Sequence, residues 1–223
     1  MGKQKKRLCV VCLILIGVAI GGYLFYSTRT FQMTSAKRLE NLYDGKVNTY
    51  ISNQDRDKDG IDDQTDILQS TLAYIETKPK YKSKYYTTGY SNDRYGVCTD
   101  VVANALLGAG YDLMELVKKD ISANPKKYDI TAPDPNIDFR RVKNLKVFFA
   151  NHARKLTTDV HDIEQWQGGD IVIFENHIGI VSDHRNKNGV AYVIHHNDPY
   201  QKSYEEDILE KREDIVGHYR FGN

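Results

Sequence analysis

The chain has 223 residues, and its 31 Lys and Arg nearly balance its 30 Asp and Glu. This length allows about one globular domain, and the ordinary apolar and charged fractions exclude a disordered or fibrous chain. The sequence has no basic stripe interleaved with aromatic residues, which argues against nucleic acid as a partner.

The N-terminal 26 residues differ in character from the rest of the chain. Four basic residues within positions 3–7 precede an apolar run, from Leu8 to Tyr26, that has no charged residue. At ~1.5 Å rise per residue, a helix of this length just crosses a bilayer core of ~30 Å. The basic flank predicts a cytoplasmic tail at 1–7 and a single membrane anchor at 8–26, with the remainder extracytoplasmic. The alternative is a cleaved signal peptide, whose apolar core typically spans only ~7–15 residues.

The pattern beyond the anchor predicts helices first and strands afterwards. Residues 27–54 are predicted to form a stalk, and an acidic segment follows at 55–66. Apolar residues at helical spacing predict four helices, at 67–76, 99–109, 113–122 and 142–153. β-Rich runs between turn residues predict four strands, at 170–174, 177–182, 190–196 and 215–221. This order predicts an α+β fold with a C-terminal antiparallel sheet.

The acidic segment 55–66 has the spacing of a calcium-binding loop. Gly60 stands where such a loop turns sharply, and Ile61 would contribute its carbonyl. Because its last ligand position holds Asp and its apolar residue comes one position early, the segment resembles thrombospondin type 3 calcium repeats more than an EF-hand. A solvated acidic linker is the alternative. We predict a weak structural Ca²⁺ site with carboxylate ligands Asp55, Asp57, Asp59, Asp63 and Asp66.

Cysteine usage directs attention to Cys98. Cys9 and Cys12 lie in the predicted anchor, so Cys98 is the one cysteine of the exported part. A domain with a single thiol forms no internal disulfide, and Cys98 is therefore either a buried core residue or a reactive thiol. It stands at the start of the strongest predicted helix, where unpaired N–H groups and the helix dipole favour a thiolate.

Two histidine-bearing strands follow Cys98 along the chain. A cysteine nucleophile needs a base that is itself oriented by a third group. His177 begins one predicted strand, and the next strand ends in His195, His196 and Asn197. Side chains alternate along a strand, so His195 and Asn197 share one face and His196 takes the other. We predict His195 as the orienting group, with Asn197 as a reserve. The alternative is that these residues are ordinary core or surface groups.

These features resemble the NlpC-type papain-like superfamily of bacterial cell-wall peptidases. Its members carry a cysteine at a helix start and then two strands, of which the first follows a W-x-x-GD turn and the second opens with H-[VI]-G-I. The corresponding segments here are Trp166 to Asp170 and His177 to Ile180. More narrowly, GVCTDVV, NIDFRRVKNL, HIGIVSD and GHYR resemble an uncharacterised bacterial branch with that fold, over roughly residues 85–221.

The resemblance implies a papain-like hydrolase domain at 67–223 that cleaves an amide bond in peptidoglycan stem peptides. Cys98 would attack the carbonyl, His177 would protonate the leaving amine, and His195 would hold the imidazole in the useful tautomer. The Cys98 backbone N–H and a loop donor such as Tyr86 would meet the oxyanion. The alternatives are a non-catalytic cell-wall-binding module and a cysteine-dependent acyl transferase on the same fold.

Residues 136–141 concentrate charge ahead of a predicted helix. An arginine fork suits the carboxylates of a stem peptide, so the candidate substrate-binding residues include Asp138, Arg140 and Arg141, together with Asn197. The alternative is an Asp–Arg pair that pins the proline-rich loop to the domain.

Overall fold

The computed structural model describes residues 2–31 and 34–222, with side chains described for 10–25 and 34–222. The chain divides into two compact units, residues 1–33 and 34–223. The first unit is helix α1, Lys3–Phe31, whose described apolar side chains are exposed. No helix in the described part of the chain has the length and apolarity of a membrane span. The side chains of the predicted basic tail, and positions 32 and 33 of the predicted stalk, lie outside the described residues.

The second unit contains helices followed by a sheet, so the predicted α+β fold is confirmed. Its helices are α2 Asp63–Glu76, α3 Cys98–Gly108, α4 Leu113–Ala123, α5 Pro135–Asp138 and α6 Val142–His152. Its strands are β1 Lys80–Tyr81, β2 Tyr95–Gly96, β3 Arg154–Lys155, β4 Ile171–Phe174, β5 Ile178–Arg185, β6 Ala191–Ile194, β7 Glu205–Glu206 and β8 Ile215–Arg220.

Six of the strands form one antiparallel sheet in the order β3-β8-β4-β5-β6-β7. The register places Ile180 of β5 opposite Ile171 on one side and Ile194 on the other. β1 and β2 form a separate parallel pair directly before α3. The start of β5 therefore lies beside the end of β6. The β1–β2 pair directly precedes the first turn of α3.

The alternation of apolar side chains along the central strands gives the sheet two buried faces. Ile171 and Ile173 of β4 pack with the helices, whereas Val172 and Phe174 point to the opposite face and pack with Trp166. Helix α3 packs on β5 and on α2, so it is sandwiched between the sheet and another helix. Cys98 therefore begins a helix whose position is fixed on two sides.

Residues 34–54, most of the predicted stalk, lie in the same compact unit as the helices and the sheet. The backbone of Ser35 bonds to Lys202 and Tyr204, and Thr34 and Ala36 are buried. Arg38 forms ion pairs with Asp183 and Glu205. Residues 34–38 therefore pack against β5, β7 and the turn before β7, whereas Tyr50 and Ser52 bond to Gln167 and Gly222.

The W-x-x-GD turn and the GHYR motif meet in one buried network around Asp170. Asp170 is fully buried and forms a two-point ion pair with Arg220, with N···O distances of 2.7 and 2.8 Å. It also accepts from Gln64 of α2 and from the Gln167 backbone, and His218 Nε2 lies 3.1 Å away. These contacts tie α2 to β4 and β8.

We expect Asp170→Asn to lower the free energy of unfolding by about 3–5 kcal/mol, because it leaves the buried Arg220 guanidinium without its counter-charge. For a domain of this size the melting temperature should fall by roughly 10 °C. Thermal unfolding followed by circular dichroism measures this. Asp162→Asn is the matched control, since Asp162 is exposed. Equal melting temperatures for the two variants would contradict a stabilising role for the buried ion pair between Asp170 and Arg220.

Candidate active site

Cys98 is the first residue of α3, at a turn that the protein reinforces from several sides. Asp100, in the first turn, accepts a hydrogen bond from the Val97 backbone N–H at 2.8 Å. Gly96, two residues earlier, packs so closely against Tyr74 that an added Cβ would collide with the Tyr74 hydroxyl. The strand-to-helix turn at Cys98 is therefore constrained by its sequence as well as by its packing.

The Cys98 sulfur lies against the start of β5. Burial raises the pKa of the Cys98 thiol to about 11, although the approaching backbone N–H groups of Ile178, Thr99 and Cys98 itself favour the thiolate. The Ile178 N–H is the informative one, because Ile178 directly follows His177. Cys98 and Ile178, which are eighty residues apart in sequence, are thus neighbours at the junction of α3 and the sheet.

His177 is held by a histidine and a phenylalanine. Its Nε2 lies 2.9 Å from Nδ1 of His195, and its ring stacks on Phe174 with ring centroids 5.9 Å apart. Both histidines are buried. Burial lowers the pKa of His177 to about 3, and the nearby charges of His195 and Arg212 add to this effect. The imidazole is therefore neutral at physiological pH.

A carboxylate extends this pair of histidines. Nε2 of His195 lies 3.2 Å from Glu206 Oε2, a close contact that falls short of hydrogen-bond geometry. Glu206 belongs to β7, which pairs with β6 so that Val193 stands opposite Glu206. The sequence predictions do not include Glu206, since nothing in the local sequence distinguishes it from its acidic neighbours. Only the pairing of β7 with β6 brings it to His195.

The other two polar residues after β6 point elsewhere. His196 is fully buried with its ring between Tyr81 and Tyr204, at centroid distances of 5.3 and 5.1 Å. Neither of its ring nitrogens has a hydrogen-bond partner among the described residues, and burial lowers its pKa to about 4. Asn197 is exposed, and its side-chain amide donates to Asp198 at 3.2 Å. Of the three, the structure brings His195 to His177.

The candidate substrate-binding arginine Arg140 is engaged within the protein. It is buried and forms a two-point ion pair with Asp100 at 2.7 and 2.9 Å, while its Nη1 donates to the Lys84 carbonyl. Because Asp100 also holds the Val97 backbone, Arg140 supports the turn that carries Cys98. These contacts join the segment 136–141 to the first turn of α3 and to Lys84.

The two neighbours of Arg140 in that segment lie differently. Asp138 is buried and accepts from the Asp134 backbone N–H at 2.7 Å. Arg141 is about half exposed, with its nearest guanidinium nitrogen 4.0 Å from Asp138. Arg141 is thus the one member of this candidate set with a guanidinium that reaches solvent.

A tyrosine that the sequence predictions missed lies beside Cys98. Tyr81 of β1 pairs with Gly96, two residues before the cysteine. Burial raises the pKa of the Tyr81 phenol, and the charge of a Cys98 thiolate adds to this effect. The predicted oxyanion donor, Tyr86, instead donates its hydroxyl to Asp93 at 2.8 Å. Tyr81 therefore lies close enough to Cys98 for a thiolate charge to raise the pKa of its phenol.

Positive side chains surround the entrance strand β2. Lys82, Lys84 and Arg94 lie 5.1 to 5.6 Å from the ring centroid of Tyr95, three residues before Cys98. Arg94, Lys82 and Lys80 lower the pKa of the Tyr95 phenol. We call this set the cationic rim; its members are Lys80, Lys82, Lys84 and Arg94.

The acidic loop lies away from this site, at the N-terminus of α2. The carboxylates of Asp55, Asp57 and Asp59 are exposed, with one oxygen of each within 4.8 Å of the others. Burial raises the pKa of Asp66 to about 6, and the charges of Asp59 and Asp57 contribute. The remaining predicted ligands are the carbonyl of Ile61 and the carboxylate of Asp63.

Asp63 is engaged by other groups. It is fully buried, and it accepts from the Arg56 backbone N–H at 2.8 Å and from the Tyr111 hydroxyl. Both of its oxygens are therefore used in attaching the loop to the corner between α3 and α4.

The site combines the parts of a nucleophilic centre. A thiol at a helix start lies against the start of β5, and the neutral imidazole that precedes this strand is held at Nε2 by a second imidazole, which has a carboxylate 3.2 Å from its far nitrogen. Such a chain can accept the thiol proton, stabilise the resulting imidazolium and return the proton to a leaving group.

Comparison with known proteins gives a family without an assigned reaction. The chain is 38% identical over 163 residues to the "Uncharacterized protein YijF" of Escherichia coli (strain K12), which covers 69% of this chain and 76% of that protein. No solved structure matches the chain significantly. Residues 68–221, which contain all the elements of the site, match the family described as "Domain of unknown function (DUF1287)", and the chain belongs to this DUF1287 family.

Proposed function

We propose that this protein is a cysteine hydrolase that cleaves an amide bond, with Cys98 as nucleophile and His177 as base. The observation that carries the proposal is that the Cys98 sulfur lies against the backbone N–H of Ile178, the residue after His177, while the His177 ring is held 2.9 Å from His195. A papain-like, NlpC-type arrangement of helix and sheet accounts for this geometry, in line with the motif resemblance.

The order of contacts assigns the protons in this chain of groups. If Nε2 of His195 carries the proton and points it at Glu206, then Nδ1 of His195 is unprotonated. This Nδ1 accepts a hydrogen bond from Nε2–H of His177. The Nδ1 of His177 is then the free basic nitrogen. Glu206 and His195 are therefore positioning residues that present the basic nitrogen of His177 to the thiol.

The proposed reaction has two steps, formation of a thioester at Cys98 and hydrolysis of that thioester. As the Cys98 sulfur attacks the amide carbonyl carbon, its proton moves to His177 Nδ1. His177 then protonates the amide nitrogen, the C–N bond breaks, and an amine leaves behind a thioester. Water attacks the thioester with His177 as base, which releases a carboxylic acid and restores the thiol. The Tyr81 hydroxyl and the backbone N–H of Cys98 are the proposed donors to the oxyanion.

The directions of the two pKa shifts define how this pair starts the reaction. A raised thiol pKa and a lowered imidazole pKa make the resting pair neutral rather than an ion pair. His177 therefore acts as a general base during the attack. The same neutral pair favours a second candidate, a non-catalytic wall-binding module, in which alkylation of Cys98 leaves ligand binding intact.

The cationic rim supports an anionic substrate. Lys80 lies in β1, and the other three cations flank β1 and β2. Lys84 is paired with Asp93, so the remaining cations are those that attract negative groups on a substrate near Cys98. Peptidoglycan stem peptides carry free carboxylates next to their amide bonds, and we propose them as the substrate class. The exposed apolar side chains of α1 support the further proposal that the anchor at 8–26 holds the domain on the outer side of the membrane.

Mass spectrometry of purified peptidoglycan incubated with the full chain in detergent tests the function. A hydrolase adds one water across a cleaved amide, whereas an acyl transferase joins the acyl half to an added amine acceptor. A binding module sediments with peptidoglycan and releases no fragment. The same preparation reports location, since the full chain is expected in the membrane fraction; recovery in the soluble fraction contradicts the anchor.

A charge reversal in the rim tests the substrate class. We expect Lys82→Glu to raise KM roughly tenfold at low salt while kcat changes less than twofold, because Lys82 steers the substrate without touching the reacting atoms. The effect should shrink as ionic strength rises. Lys187→Glu is the matched control, since Lys187 is an exposed lysine in the turn between β5 and β6. Equal KM values for the two variants would contradict an anionic substrate.

A further inference from the structure

The loop at 55–66 presents three carboxylates to one point in space. Asp55, Asp57 and Asp59 are exposed, and one oxygen from each lies within 4.8 Å of the others. Three negative charges at this separation repel one another unless a cation lies between them. Exposed acidic clusters are common in proteins, so this grouping alone does not define a site.

A buried carboxylate behind the loop provides the second observation. Asp66 lies in the first turn of α2 and is only 6% exposed. Its Oδ2 is buried and has no hydrogen-bond partner among the described residues. Asp66 is the last residue of the segment 55–66 and lies in the first turn of the helix that the loop enters, so its carboxylate lies close to the loop. A carboxylate oxygen buried without a donor is costly unless a cation or donor satisfies it.

The loop is held in place before any ion binds. Arg56 fixes one end, because its backbone donates to Asp63 and its guanidinium lies over the Tyr111 ring, 4.8 Å from the centroid. The other end is the N-cap of α2, where Asp62 accepts from the backbone of Gln64. At the turn, Gly60 has φ +95°, a conformation that suits glycine. The ligands therefore lose little conformational freedom on binding.

We propose that residues 55–66 bind one Ca²⁺ through the carboxylates of Asp55, Asp57, Asp59 and Asp66 and the carbonyl of Ile61. All five ligands are oxygens, as Ca²⁺ prefers, and water completes the coordination. Asp63, the remaining carboxylate of the predicted set, is excluded because it is fully buried and outside the exposed group of three, and its oxygens hold the Arg56 backbone and the Tyr111 hydroxyl. This proposal is independent of the chemistry at Cys98.

The ion would join two segments of the domain that meet at this loop. Asp66 belongs to α2, which packs extensively on α3, whereas Asp55 to Asp59 belong to the connection that follows the segment 34–54. Binding should therefore stabilise the folded chain without contacting the nucleophile.

Calorimetric titration of the full chain with Ca²⁺ alone, after removal of bound metal with a chelator, tests the site. We expect one ion per chain with a Kd of ~10⁻⁴–10⁻³ M, the range of extracellular calcium modules. The melting temperature should rise by on the order of a few degrees when about 5 mM Ca²⁺ is added. Neither heat nor a shift in melting temperature at millimolar Ca²⁺ would overturn the proposal.

Two conservative variants make the test specific. Asp57→Asn and Asp59→Asn keep the oxygen that accepts the loop N–H groups but remove one charge each. Each is expected to weaken Ca²⁺ binding at least tenfold, while the chelator-treated proteins melt no lower than wild type. Asp162→Asn, an exposed aspartate elsewhere, should bind as wild type. Wild-type affinity in both loop variants would refute the ligand assignment.

Discussion

Replacing Cys98 by alanine is expected to reduce kcat for amide cleavage at least ~1,000-fold, because no thioester can form without the sulfur. The fold should persist, since alanine is the best helix former and Cys98 is only partly buried at the start of α3. The rate of appearance of new amino groups in purified peptidoglycan measures the loss. The melting temperature of the variant establishes that the chain is folded.

The protein supplies its own matched control for this experiment. Cys12 is also a free cysteine, but it is exposed on α1 and distant in sequence from the domain. Cys12→Ala should keep the wild-type rate, and in the double variant Cys9→Ala/Cys12→Ala the remaining sensitivity of the rate to thiol alkylation reports on Cys98. If Cys98→Ala and wild type release identical fragments at equal rates, Cys98 is not the nucleophile and the binding module becomes the better description.

The long elements of this fold are predictable because their apolar periodicity is strong. The pattern from Val101 to Ala109 predicts a helix at 99–109, and α3 spans Cys98–Gly108. The runs rich in Val and Ile predict β4, β5, β6 and β8. The strands that are missed, β1, β2, β3 and β7, have two residues each. Two residues are too few to show a period, so only tertiary pairing defines them.

The same limit explains which site residues are predictable. Cys98 and His177 stand at the starts of long elements, so the sequence indicates their positions directly. Glu206 and Tyr81 reach the site through two-residue strands and are missed for that reason. Arg140 carries a guanidinium suited to carboxylates, but its partner Asp100 is forty residues away in sequence, and the sequence leaves open whether it binds substrate or the protein itself.

The neutral state of the buried histidines has a consequence for stability at low pH. His177 and His196 have lowered pKa values in the folded chain, about 3 and about 4. The unfolded chain takes up these protons at about pH 6.5, so it binds more protons than the folded chain between these values. Unfolding should therefore become easier as pH falls from 6.5 toward 4, by about 1.4 kcal/mol per pH unit for each histidine. The free energy of unfolding, measured from denaturant curves at several pH values, checks this, and it also corrects the dependence of activity on pH for unfolded protein.

Within the folded range, the acid limb of kcat/KM should lie well below pH 6.5. Since burial lowers the pKa of His177 to about 3, its neutral basic form persists into mildly acidic solution. We expect activity to fall only below about pH 5, after correction for unfolded protein. A limb near pH 6.5 would contradict a buried, neutral base.

Removal of His195 is expected to lower kcat by about 10²–10⁴-fold with little change in KM, because the His177 ring loses the contact at Nε2 that fixes its tautomer. Glu206→Ala acts one step further away and should lower kcat about tenfold. Glu206→Gln should recover most of that loss, because its amide oxygen can take the place of the carboxylate oxygen beside His195 Nε2. This recovery separates a tautomer-holding role from a charge effect, in which Gln would fail as Ala does.

Glu213→Gln serves as the control, since Glu213 is exposed and lies outside this chain of contacts among the described residues. Steady-state kinetics on peptidoglycan fragments, with melting temperatures for every variant, measure the split between kcat and KM. A Glu206→Ala protein with wild-type kcat would remove Glu206 from the mechanism. A His195→Ala protein with wild-type kcat would show that the contact between His195 and His177 does not orient the base. It would also contradict the assignment of His177 as the base of Cys98.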